Sequence, residues 1–110
     1  MGTYVNAADI LAQAGVSSPS AEESAWADTV EAVIEGAIAH ALGDGAFTPS
    51  ASQTDALTGA AMLDALAYYA MRSAPHGVLS ITPDGEVARL GADPLRASRV
   101  VLYPINPGIG

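Results

Sequence analysis

Cysteine and lysine are both absent from this 110-residue chain. Without cysteine there is no disulfide, no thiolate nucleophile and no cysteine-based zinc site. Large side chains are scarce, with one Trp, one Phe and four Tyr. Half of the residues are hydrophobic, but many of these are alanines, each of which covers little area. A chain of this length makes one domain and buries roughly 65% of its unfolded surface. Its core is therefore modest, and contacts with neighbouring subunits would help it. No run approaches the ~20 apolar residues of a membrane span. The opening "MGTYVNAADI" lacks the basic region and apolar stretch of a secretory signal. The expectation is a soluble protein used inside a cell or packaged into something assembled there, with no membrane partner.

Positive charge is missing from most of the chain. Residues 1–71 hold nine acids and no Lys or Arg, and the four arginines, Arg72, Arg89, Arg96 and Arg99, follow. The formal net charge is -8. Such a surface repels phosphate, which argues against tight or sequence-specific DNA binding. It does not prevent the protein from sitting beside DNA without gripping it.

The apolar pattern is mainly helical. In "YVNAADILAQAGV" Asn6 is placed to cap a helix, with Asp9 three residues on. Val5 and Ile10 are spaced as a hydrophobic staple, and Gly15 suits a left-handed stop. In "SSPSAEESAWADTVEAVIEGAIAHALGDG" Ser18 is the expected cap and Pro19 the first helical residue. Glu22 and Glu23 then lie where the helix dipole favours acids. Trp26, Val30, Val33, Ile34, Ala37, Ile38 and Ala41 follow the spacing of a buried stripe. Asp28, Glu31 and Glu35 fall on another face, read as solvated. The glycines of "GDG" at 43–45 end the helix. A third helix begins near Thr48–Pro49 or near Thr54, with Leu57, Ala61, Leu63, Leu66, Ala67 and Ala70 as its inner face. It ends before Pro75, because the residue preceding proline avoids the helical region.

From residue 77 the period changes. "GVLSITPDGEVARLG" places two short apolar-rich runs around Pro83-Asp84-Gly85, a turn signal. This predicts a β-hairpin over 78–90, too small to stand alone, with Ile81, Asp84 and Arg89 as contact candidates. In "ADPLRASRVVL" Asp93 and Pro94 are placed to open a short last helix. The fold expected is thus mainly α: a bundle of three to four helices with a short hairpin, residues 1–101, and an extended C-terminal arm, residues 102–110.

That arm, "LYPINPGIG", carries no charge and two prolines, Pro104 and Pro107, which exclude a central strand. Nine extended residues reach at most about 30 Å. The proline rings lower the entropy lost on docking. Leu102, Tyr103, Ile105 and Ile109 supply apolar anchors, with Asn106 among them. A loose tail is ordinarily polar, so a docking role suits this one better than fraying.

No constellation for catalysis stands out, and an enzyme is not expected. His40 and Asp44 are four apart, but two ligands do not make a zinc site, and a histidine near a helix C-terminus ordinarily complements the dipole. Glu22–Glu23 and Glu31–Glu35 lack the burial that separates an acid from a base. The serines have no Gly-x-Ser-x-Gly setting, and the glycines near 43–45 lack the lysine of a phosphate loop. Tyr68 and Tyr69, without a basic patch, make no nucleic-acid platform. No metal or cofactor is implied. Arg96 and Arg99 could answer Asp28, Glu31 and Glu35, either within the chain or across a subunit boundary. A head-to-tail ring would favour that match, although ordinary surface charge explains them as well.

The layout resembles the head-tail connector, or adaptor, proteins of long-tailed bacteriophages. The resemblance rests on "YVNAADILAQAGV", on "SAEESAWADTVEAVIEGAIAHAL", on "ALAYYAMRSAPHGVLSITPDGEVARLGADP" and on the trailing arm, and so covers nearly the whole chain. It lies in architecture, with no single motif behind it. It implies a structural virion protein made in the bacterial host cytoplasm and located in the neck. There a ring, typically a dodecamer, forms under the portal protein, extends the DNA channel and supports the stopper and tail. It also implies that the arm engages the portal, so that removing residues 102–110 leaves the subunit folded but unable to attach. Acids lining the bore would let genomic DNA pass without sticking. Two other readings stand beside this one: a different neck or tail-completion protein, and an acidic helical regulator that imitates DNA.

Overall fold

The computed structural model describes residues 2–73 and 94–107, and every regular element among them is a helix. There are four: α1, Ala7–Gln13; α2, Ala21–Ala41; α3, Ala51–Ser73; and α4, Ser98–Ile105. The mainly helical expectation holds at that level. The hairpin expected over 78–90, with Ile81, Asp84 and Arg89, lies outside the described residues, as does Ile109.

Local chemistry sets most of the boundaries. Asn6 caps α1 by accepting from the Asp9 backbone N–H at 3.0 Å, while the Asp9 carboxylate takes the Asn6 side-chain amide at 2.8 Å. Val5 and Ile10 are both buried in the core, as a staple requires. α1 stops in a Schellman turn. Gly15, at φ +84°, donates to Ala12, and Val16 donates to Leu11. α2 stops in the same way, with Gly43 at φ +66° donating to His40 and Asp44 donating to Ala39.

Three starts differ from expectation. α4 opens at Ser98, not at Pro94, which lies in the turn before it, and the expected cap Asp93 lies outside the described residues. α2 opens on Ser20, not Ser18. Ser20 and Glu23 form a complete capping box, each side chain bonded to the other's backbone N–H. The reciprocal bond to Glu23 is what Ser18 would have lacked. α3 begins between the two expected starts, at Ala51. There Ser50 Oγ accepts from the Gln53 N–H, and Gln53 Oε1 accepts from the Ser50 N–H.

α2 and α3 pack antiparallel through the short 42–50 connection. Near one end of the pair, the Trp26 indole N–H donates to the Tyr69 carbonyl at 3.0 Å, and its ring stacks on Tyr68 with centroids 5.6 Å apart. The core runs along this seam through Val30, Ile34, Ile38, Leu57, Ala61 and Ala65, closed by Ile10 from α1 and Leu102 from α4. Trp26, Ala37 and Ala41 of the expected stripe pack at its margin, and Ala27 proves fully buried. The inner face of α3 is rotated from its expected position. Leu57 and Ala61 are buried, but Leu63 is 63% exposed, and Asp64 and Ala65 are buried.

The extended arm is corrected most. Leu102 is fully buried and belongs to the core, and residues 102–105 form the second half of α4. Ile105 packs at the margin of the same core. Asn106 donates its side-chain amide to the Ala41 carbonyl at 2.8 Å and so fastens the segment to the end of α2. Pro104 sits near the end of α4, where it removes a single helical bond. Burial of Leu102 and the Asn106 bond offset that loss. Removing residues 102–110 would therefore take away part of the core.

Candidate interaction surfaces

The acids expected on a solvated face of α2 divide into two kinds. Asp28 is exposed. Glu31 and Glu35 are half-buried and hold the N-terminal segment. Glu35 Oε2 accepts from the Tyr4 and Val5 N–H groups at 2.6 and 2.7 Å, and Glu31 Oε1 accepts from Ala7 N–H at 2.7 Å. These amides belong to the start of α1 and the residues leading into it, where donors lack partners and a negative charge is favoured. The approach is close: a methyl group at Gly2 would strike the Val5 carbonyl and stand 2.6 Å from Glu35 Oε2. Burial, and then the nearby Glu35 carboxylate, hold the Tyr4 hydroxyl above the ordinary tyrosine pKa of 10.0.

Asp64 is the residue that sequence reasoning missed. It is 4% exposed and receives two backbone donors, Ala97 N–H at 2.6 Å and Ser98 N–H at 2.8 Å. α4 has no side-chain cap of its own. A carboxylate from α3 caps it across the fold, with the charge-assisted bonds that a helix start favours. The only signal in the sequence was an acid inside an otherwise apolar helical stretch. Ser98 Oγ, in contrast, is buried with no hydrogen-bond partner among the described residues.

The outer side of α4 is apolar. Val100 is 77% and Tyr103 54% exposed. Val100 and Tyr103 are three apart on α4, and Arg96, also exposed, lies four residues before Val100 in the turn that leads into the helix. Leu63 and Arg96 line a groove of about 520 Å³ between α3 and the turn before α4. Arg99, three residues from Arg96, is half-buried. Of the expected docking residues, Tyr103, Pro104 and Pro107 thus face outward, while Leu102 is core, and Ile105 and Asn106 are half-buried.

A second groove, of about 400 Å³, lies where α1 ends and α2 begins. Val16, Trp26 and Tyr69 form its apolar floor, and Glu22 and Glu23 stand at its rim. His40 and Asp44 are both exposed at the end of α2. No three His, Asp or Glu side chains gather in a metal-ligating group among the described residues. No described helix is long and apolar enough to cross a membrane.

No family model, curated protein or solved structure matches the chain.

Proposed function

We propose that this chain is a structural subunit of a phage neck: a head-to-tail adaptor that forms a ring under the portal, extends the DNA channel and supports the stopper and tail. The observation that carries the reading is the exposed stripe of α4. A small subunit with few large side chains leaves Val100 and Tyr103 in water, which a building block would cover on assembly. Tyr103, Pro104, Pro107 and Ile109 are the residues proposed to meet the portal or a neighbour. They dock from a helix and its continuation, and no separate arm is needed. The hairpin expected over 78–90 would add contacts through Ile81, Asp84 and Arg89. Exposed acids such as Asp28, Asp44 and Asp55 are suited to a bore through which DNA slides.

The DNA-imitating regulator is the weaker reading. Imitation needs acids arrayed outward, and Glu31, Glu35 and Asp64 are instead bonded to backbone amides of the same molecule. An antibody against the chain tests the proposal on phage particles from cells that express it. Labelling confined to the neck is the expected result. Particles without the chain, together with a free monomer that displaces DNA from a basic protein, would replace the adaptor with the regulator.

A further inference from the structure

The ring reading leaves open which faces of neighbouring copies meet. We infer that the α4 stripe of one copy docks into the groove between α1, α2 and α3 of the next. This rests on the ring reading and gives it a contact. The two surfaces complement each other in both respects that matter. One presents apolar Val100 and Tyr103 flanked by Arg96. The other offers an apolar and aromatic floor, Val16, Trp26 and Tyr69, with Glu22 and Glu23 at its rim. Tyr103 is the size of side chain that a groove of about 400 Å³ admits, and an aromatic anchor beside an arginine is the usual centre of a protein contact.

The two surfaces belong to different elements, the outer side of α4 for one and the junction of α1, α2 and the end of α3 for the other. One stripe seated in one groove, without the reverse contact, leaves one of each free at the ends of a pair, so it propagates until the rotation closes a ring. The charge division of the sequence fits this contact: residues 1–71 hold nine acids and no Lys or Arg, and all four arginines follow, so opposite signs can meet between copies.

The absence of cysteine gives a clean background for cross-linking. Pro104→Cys and Ala25→Cys, both at exposed positions beside the two surfaces, leave Tyr103 and Glu22 in place and would be prepared as separate proteins. They would be mixed at high concentration with a short bismaleimide, with exposed Asp55→Cys as the control. The mixture should give crossed dimers roughly tenfold above either protein alone, because docking raises the effective concentration of the two thiols. Adding Arg96→Glu to the Pro104→Cys protein should lower that yield, and the double variant Pro104→Cys/Ala25→Cys should give a ladder of multimers. The inference is overturned if Asp55→Cys crosses equally well. Symmetric Pro104→Cys dimers as the main product, or a double variant that only cross-links within itself, would overturn it too. Electron micrographs separate it from the ring reading. Open filaments in the ladder would keep the docking faces and remove the ring. Closed rings of the unmodified chain without any crossed product would keep the ring and remove these faces.

Discussion

Asp64 is the residue on which the last helix depends most. Its carboxylate takes two backbone N–H groups at the start of α4, in a place from which water is nearly excluded. Asp64→Ala should lower stability by about 2–4 kcal/mol, since it deletes charge-assisted bonds and strands buried donors. Asp64→Asn, which keeps one carbonyl acceptor, should recover part of that. Urea titration followed by Trp26 fluorescence would measure both. Ser98 presents the opposite case. Its buried hydroxyl has no partner among the described residues, so Ser98→Ala should be neutral or stabilising by up to about 1 kcal/mol in the same titration. Tyr4 supplies a pH dependence. Its hydroxyl pKa is raised in the folded protein, first by burial and then by Glu35. The folded state thus holds this proton more tightly than the unfolded chain does. The resulting stabilisation is complete below pH 10 and is lost as pH rises through the folded value. Tyr4→Phe should flatten that alkaline fall, and Glu35→Gln should reduce it only in part, because burial is the larger cause. Stability measured between pH 8 and 11 distinguishes the three proteins.

At the scale of elements, α4 forms for tertiary reasons. Eight residues are too few for an isolated helix in water, and this one includes Pro104. It forms because Leu102 enters the core, Asp64 caps its start and Asn106 ties its end to Ala41. Leu102→Ala should therefore cost about 2–5 kcal/mol. A chain cut after residue 101 should unfold or lose most of its cooperativity, whereas the full chain should melt in one transition. Circular dichroism on heating separates these outcomes. The helix stops were legible because they depend on neighbours in the chain: Gly15 and Gly43 supply positive φ at both Schellman turns. The α2 start was misplaced by two residues because Ser17-Ser18-Pro19-Ser20 offers several caps. Only the reciprocal bond between Ser20 and Glu23 distinguishes them.

For the whole molecule, the separation of charge along the chain is the property with the widest consequence. If acidic and arginine-bearing faces join copies, added salt should weaken assembly, because exposed charges are screened over about 10 Å at 0.1 M. Light scattering at high protein concentration should then show a mass that falls toward 11.1 kDa between low and high salt. The apolar part of the contact should keep that fall incomplete. A mass that rises with salt would assign assembly to apolar contact alone and remove the arginines from it.

Composition, helical class, the two glycine stops and the α2 stripe were determined by the sequence itself, because they depend on residue type and on spacings within one element. The roles of Glu31, Glu35, Asp64 and Leu102 were decided only by tertiary structure. An acid four residues from another acid looks solvated until the backbone amides it accepts arrive from a segment about thirty positions away. An apolar tail with two prolines looks extended until the packed helices take its Leu102 into their core. In both cases the partner is distant in the chain, and periodicity carries no record of it.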